Sequence, residues 1–258
     1  MCKRTVIVSG GMLEEDFVLP ILEAEETEFI IGVDKGLAFL YEHKIKPDYI
    51  VGDFDSVPEE VIDYYRKEAS VPIREFNPVK DASDTEIALR MCLGLRRKEI
   101  WILGGTGNRL DHFWANVQCL NIALDAGSQA MILDSHNRIR LLDHGIAIRR
   151  EEAFGKYFSV FPMQLPVEDF CISGAKYPLQ NHLLSSGDKI IEYVGFDTGK
   201  AGFCRRKIVR FNGKGNVLAL FQSVVAFFKL IFKHIRVLPA DRVKSVVLRR
   251  NFDSRLCL

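Results

Sequence analysis

Apolar residues follow one another in two textures along this chain, and the change comes near residue 136. Before it, short apolar runs alternate with segments whose apolar positions recur every three or four residues. Residues 5–9 (TVIVS), 29–33 (FIIGV), 49–51 (YIV), 99–103 (EIWIL) and 129–133 (QAMIL) are of the first kind. They are too short for helices and are bounded by glycine or aspartate, which predicts buried strands. Residues 35–43 carry Leu37, Leu40 and Tyr41 at helical spacing, and residues 84–95 do so with Ile87, Ala88, Met91, Cys92 and Leu95. A longer helix is expected over 111–126. Ser83 or Asp84 suits the N-cap of the second helix. Strand and helix in alternation imply right-handed βαβ units, hence a mostly parallel sheet with helices on both faces.

Beyond about Asn137 the runs shorten. Residues 138–142, 147–149, 157–161 and 170–172 read as strands separated by Gly, Pro and Asp, the pattern of a small antiparallel sheet or sandwich. The expected fold is therefore α/β: an N-terminal, mostly parallel sheet flanked by helices over 1–136, then a small antiparallel β-sandwich domain over 137–223. Residues 224–258 form an atypical basic extension.

Composition narrows the class. At 258 residues, 48% hydrophobic and 27% charged, the chain can bury a substantial core, which excludes wholesale disorder and a disulfide-stapled miniprotein. Its six cysteines are scattered with no CxxC pair, so idle thiols in a reducing compartment outweigh a zinc site. The first residues are basic and then only briefly apolar before Ser9, Gly10 and Gly11. No secretory signal is evident there, and a cytoplasmic location is expected. A net charge of +1 conceals a strongly basic stretch from Lys200 onward, where Asp241 and Asp253 are the only acidic residues. No interleaved aromatic platform accompanies it, so nucleic acid is not the expected partner. The apolar stretch 217–232 is interrupted by Gln222, Ser223 and Lys229 and falls short of the ~20 residues of a span, so no membrane partner is expected either.

The polar residues that remain collect at strand ends. Asp34, Asp53, Asp55, Gly104, Gly105 and Asp134 all follow apolar strands, and in an open α/β sheet that edge is where ligands bind. GDFDS (52–56) places Asp53 and Asp55 at i and i+2, where both can turn to one cation. KDASDTE (80–86) adds Asp81 and Asp84 around a helix start, where capping competes with a ligand role. GGTGNRLDHFWAN (104–116) has three glycines between strand and helix, a loop able to wrap phosphate against backbone N–H groups. Its spacing is neither that of a P-loop nor that of GxGxxG. Arg109 can clamp phosphate, Asp111 can hold metal, ribose or that arginine, and His112 and Asn116 lie one turn apart on the helix. Trp114 is expected in the core. Clustered carboxylates without a Cys/His set nearby favour Mg²⁺, which binds oxygen ligands together with substrate phosphates. The residues thus point to magnesium-dependent chemistry on a phosphate ester or anhydride.

These stretches, with SGG (9–11), VDKG (33–36), PDYIVGDFDS (47–56) and SGAKYPLQNHLLSSG (173–187), resemble the thiamine pyrophosphokinase family in order and spacing over roughly residues 5–187. The resemblance implies transfer of the terminal pyrophosphoryl group of ATP to the thiamine hydroxyl, leaving AMP. It also implies a homodimer with thiamine bound where subunits meet. Carried onto this chain, it makes Asp53 and Asp55 magnesium ligands with Asp81 or Asp84 assisting, and Asp34 a further acid facing the reacting groups. Ser83, Asp84, Gly104, Gly105, Arg109, Asp111, His112 and Asn116 fall on the nucleotide side. The family's Ser-Asn pair, which contacts thiamine after the 187 region, has no counterpart in residues 188–207. Two other readings therefore stay open: an Asp-x-Asp metal-dependent phosphatase, and a nucleotide-binding protein with impaired turnover.

Overall fold

The computed structural model describes residues 3–67, 70–75, 82–149, 152–155, 157–164, 166–175, 178–188, 190–193 and 208–222. Six parallel strands form its first half: β1 (Arg4–Val8), β2 (Thr27–Val33), β3 (Tyr49–Gly52), β4 (Ile73–Glu75), β5 (Glu99–Leu103) and β6 (Gln129–Leu133). They lie in the order β6-β5-β1-β2-β3-β4. The chain lays β2, β3 and β4 to one side of β1, then crosses back to add β5 and β6 on the other. The strand order thus reverses between β1 and β5, and a crevice opens outside the carboxyl ends of such a pair.

Five helices cover this half: α1 (Glu15–Leu22), α2 (Gly36–Glu42), α3 (Glu59–Lys67), α4 (Asp84–Gly94) and α5 (Leu110–Asp125). Because strand side chains alternate, each strand feeds both faces. Val6, Val8, Ile30, Ile50, Met131 and Leu133 pack with Val18 and Leu22 of α1, Leu37 and Leu40 of α2, and Val61, Ile62 and Tyr65 of α3. Ile7, Ile31, Ile100, Ile102 and Ile132 meet Ala88, Leu89 and Cys92 of α4 and Val117, Leu120 and Ala123 of α5 on the opposite face. Each large aliphatic side chain so buried contributes about 1.5–3 kcal/mol. The two cores, rather than the polar rim, carry the stability of this half.

The strands expected from the apolar runs are present, with ends shifted by a residue or two. Helices α1 and α3 and the short β4 were not legible. α1 contains Pro20, and α3 (EEVIDYYRK) buries only Val61, Ile62 and Tyr65 in an otherwise charged segment. Its acids stand in the first turn and Arg66 and Lys67 in the last, the arrangement that complements the helix dipole.

After β6 the chain reverses at Asp134, which is 4% exposed. Its carboxylate accepts the backbone N–H groups of His136 and Asn137, both at 2.7 Å, and the Thr106 hydroxyl at 2.8 Å. Asp134 holds a turn and anchors the loop beyond β5. The same sheet then continues antiparallel through β7 (Asn137–Leu142), β14 (Val217–Gln222), β9 (Tyr157–Pro162) and β12 (Ile190–Tyr193), ten strands in all. A second, four-stranded antiparallel sheet comprises β11 (Leu179–Leu184), β10 (Val167–Ser173), β13 (Ile208–Lys214) and β8 (Ile146–Arg149). Leu142, Phe158, Val160, Val217, Ala219 and Phe221 meet Val167, Phe170, Ile172 and Leu184 between the two layers. The β-sandwich is thus present, and one of its layers is the extension of the larger sheet. The expected division near residue 136 falls in the β6–β7 turn.

Cys92, Cys119 and Cys171 are free thiols, the first two buried in the core under α4 and α5. Among the described residues no helix is long and apolar enough to cross a membrane.

Candidate active site

Three aspartates far apart in sequence meet beyond the carboxyl ends of β2 and β3. Asp34 follows β2, Asp53 follows β3, and Asp84 opens α4. Each is partly buried, and one carboxylate oxygen from each lies within 4.8 Å of the others. Asp34 sits in the left-handed region (φ 43°), which a short polar side chain tolerates better than most. Gly52 makes room for it. A Cβ at that position would stand 2.2 Å from Asp34 Oδ1, so any side chain there displaces the carboxylate.

Phe54 decides how the two aspartates of GDFDS are presented. It too has positive φ (60°), a conformation costing a bulky residue about 1–3 kcal/mol and typical of functional loops. Its ring turns back against Gly52 and joins the core facing α1, α2 and α3. The turn interrupts the alternation that would set Asp53 and Asp55 side by side. Asp53 joins the trio, whereas Asp55 is exposed beside it and donates its backbone N–H to Asp53 Oδ1 at 3.3 Å. Asp81 lies outside the described residues.

At the start of α4, the Ser83 hydroxyl accepts the Glu86 N–H at 3.2 Å and caps the helix. One residue past Asp84, the buried Thr85 hydroxyl meets the Ser9 hydroxyl at 2.8 Å, fixing the helix start to the end of β1. Like charges at the spacing of the trio repel by about 3.5 kcal/mol or more per pair at an effective dielectric of 20. The positive end of α4 offsets part of that. The donor set is all oxygen, with no His or Cys in it, and so fits a hard divalent cation such as Mg²⁺.

The loop after β5 is stitched to the loop after β1. Ser9 N–H donates to Leu103 O at 2.8 Å, Gly11 N–H to Gly104 O at 2.9 Å, and Met12 N–H to Thr106 O at 2.7 Å. Gly104 permits this approach: its φ is +66°, and a Cβ there would lie 2.1 Å from Ser9 O. Asn116, 7% exposed, reaches back from α5 and donates to Gly105 O at 2.9 Å, so its side chain anchors the glycine loop from beneath.

Arg109 and Asp111 stand exposed at the mouth of that loop as a two-bond pair, with Nη2 2.6 Å and Nε 3.2 Å from the carboxylate. The guanidinium, with help from the His112 backbone N–H, holds the Asp111 carboxyl down at about 2. His112 follows on the exposed side of α5. Trp114 departs from its expected place in the core: it is 51% exposed, one turn from Leu110 at 76%. Both stand near the N-terminal end of α5, ahead of its buried stretch, which begins at Asn116 and Val117. Thr85 and Thr106 were missed as positioning residues, because a threonine near a helix start or in a glycine loop carries no sequence signal of a distant partner.

Comparison with known proteins places the chain among relatives of one family. The family model "Thiamin pyrophosphokinase, catalytic domain" matches residues 22–132, and "Thiamin pyrophosphokinase, vitamin B1 binding domain" matches residues 143–191. A thiamine pyrophosphokinase of Bacillus subtilis (strain 168) is 30% identical over 191 residues, covering 73% of this chain and 87% of the relative. The crystal structure of thiamine pyrophosphokinase from Bacillus subtilis superposes with a TM-score of 0.73 at 26% identity, over 86% of this chain and 100% of that one. Yeast thiamin pyrophosphokinase, at 16% identity, shares the fold with a TM-score of 0.70 over 87% of each chain.

Proposed function

The chain belongs to the thiamin pyrophosphokinase family, and from that premise we propose that it transfers pyrophosphate from ATP to the thiamine hydroxyl, giving thiamine diphosphate and AMP. The observation that carries the proposal is the meeting of Asp34, Asp53 and Asp84 oxygens within 4.8 Å at the sheet rim. These three would hold Mg²⁺, with Asp55 a further donor from the same loop and Asp81 assisting. The ion supplies neutralising charge to the triphosphate oxygens when bound.

The chain's own residues do the rest by position and charge. Ser83, Asp84 and the first amides of α4 face the nucleotide, where a helix N-terminus favours anionic phosphate. Gly104 and Gly105, held by Asn116, present backbone against the phosphates. Arg109, aligned by Asp111, offers a planar pair of donors to phosphate oxygens, with His112 beside it. The thiamine hydroxyl oxygen forms its bond to the β-phosphorus as the bond from that phosphorus to the α,β-bridging oxygen breaks, and AMP leaves. An aspartate of the trio accepts the hydroxyl proton.

We assign nucleotide binding to residues 1–136, and thiamine binding and homodimer formation to residues 137–223, with 224–258 an extension to them. The match of residues 143–191 to the vitamin B1 binding domain supports this division. The free thiols of Cys92, Cys119 and Cys171, among the described residues, support a reducing, cytoplasmic location. The phosphatase reading loses support because Asp53 follows β3, not the first strand where such enzymes carry the nucleophile.

Incubation with ATP, Mg²⁺ and thiamine tests the proposal. AMP and thiamine diphosphate should accumulate in equal amounts. Release of inorganic phosphate or ADP without thiamine diphosphate would refute it, and ATP binding without AMP would favour an impaired binder.

A further inference from the structure

Away from the rim, a cavity of about 250 Å³ opens beside β7, lined by Arg138, Arg140, Ile146, Ile148, Glu152 and Phe154 among others. Strand alternation explains the two arginines. Ile139 and Leu141 turn into the core under α4 and α5, which sends Arg138 and Arg140 to the other face, about 7 Å apart along the strand. Arg138 lays its guanidinium over the Phe154 ring at 4.8 Å. Arg140 donates to Gln129 Oε1 at 3.2 Å. The Nε atoms of both arginines are buried and have no hydrogen-bond partner among the described residues. No ion pair involving either is found among those residues.

Two partly buried guanidiniums on one face of one strand are a costly arrangement. Neither can shed its proton, each loses hydration, and they repel one another. Burial, and then the Arg140 charge, pull the Arg138 guanidinium below its ordinary value, against a smaller upward pull from the Glu99 carboxylate. Glu152 on the wall is exposed, and its carboxylate accepts the Arg149 N–H at 3.4 Å.

We propose that this cavity binds a small oxyanion of the phosphate class, gripped by Arg138 and Arg140 against the apolar wall of Ile146, Ile148 and Phe154. Planar guanidinium forks pair with phosphate oxygens two at a time, and two forks match the two negative charges of a phosphate better than the one of a carboxylate. The volume lies below the roughly 300–1,000 Å³ of pockets for drug-sized ligands, so the occupant is inorganic phosphate or pyrophosphate rather than a nucleotide. The site is separate from the aspartate trio. Strands β6, β5 and β1 stand between β7 and β2, about 19 Å at the usual strand spacing.

Calorimetric titration of the full chain without Mg²⁺ tests this, using phosphate, pyrophosphate and acetate in separate arms. The phosphate or the pyrophosphate arm should saturate at one per chain, and whichever binds more tightly names the occupant. Arg138→Gln and Arg140→Gln should each weaken binding by about tenfold, the loss of a charge-assisted hydrogen bond. Asp53→Asn should leave it unchanged, which separates this site from the rim whatever the fate of the proposed activity. Glu152→Gln, exposed and neutral to folding, should tighten binding several-fold and decides the matter if an arginine variant fails to fold. Saturation that ignores all three cavity substitutions, equal binding of acetate, or no saturation at all would overturn the proposal.

Discussion

The hydroxyls of Ser9 and Thr85 meet 2.8 Å apart in the interior, joining the end of the first strand to the first turn of α4. Asp84 is the neighbour of Thr85, so this buried contact sets where one of the three rim carboxylates stands. Thr85→Val keeps the side-chain shape and strands the Ser9 hydroxyl without that partner. The expected loss is about 1–3 kcal/mol in urea denaturation, partly recovered when Ser9→Ala is added. Turnover should fall with it. A Thr85→Val protein as stable and active as the parent would show that the contact positions nothing.

Gly52→Ala tests the crowding around Asp34. The added methyl would lie 2.2 Å from Asp34 Oδ1, and the carboxylate must move. Misplacement of about 1 Å costs on the order of a hundredfold in rate. Circular dichroism should report an intact fold while AMP formation drops by about that factor. Near-parental activity would mean that Asp34 can leave its place without consequence.

Asn116 serves the glycine loop from below. Asn116→Leu removes the donor to Gly105 O, and the expected cost is about 1–2 kcal/mol of stability. Because the loop belongs to the nucleotide side, KM for ATP should rise while KM for thiamine stays within twofold or so. A rise confined to thiamine would place the loop on the wrong substrate.

The pair at the loop mouth has a pH signature. Arg109 lowers the Asp111 carboxyl to about 2 in the folded chain, against an ordinary value of 3.8. A depressed carboxyl favours the folded state above its ordinary pKa and loses that advantage as pH falls, here between about pH 4 and pH 2. Both groups are exposed, so the effect is read by NMR titration of the Asp111 carboxyl rather than by stability. Arg109→Gln should return the midpoint toward its ordinary value. A parental midpoint near pH 4 would contradict the pairing.

The parallel half was legible in sequence because its strands are buried on both faces and read as continuous apolar runs, while α2, α4 and α5 carry clear apolar stripes. Even the gathering of Asp34, Asp53 and Asp84 followed from one rule, that loops leaving parallel strands collect at one edge. What escaped was set by tertiary contact. Phe54 separates Asp55 from Asp53 through a backbone conformation that an Asp-x-Asp pattern does not reveal. The Asn116 amide nitrogen is held by Gly105 O, a contact that no sequence pattern shows. Trp114 reads as core in the sequence, but it stands ahead of the buried stretch of α5 and is exposed. The antiparallel strands of the second half are short, and their pairing with the parallel sheet through β7 depends on the Asp134 turn, whose partners are visible only in three dimensions.

The claim on which the account rests is that three carboxylates from separate parts of the chain share one divalent ion. Titration with Mn²⁺ followed by electron paramagnetic resonance, on the parent chain and on Asp34→Asn, Asp53→Asn and Asp84→Asn, measures it directly. Loss of one charged oxygen ligand should weaken Mn²⁺ binding about tenfold or more in each variant. If Asp34→Asn or Asp84→Asn binds Mn²⁺ as the parent does, the trio is not a metal site.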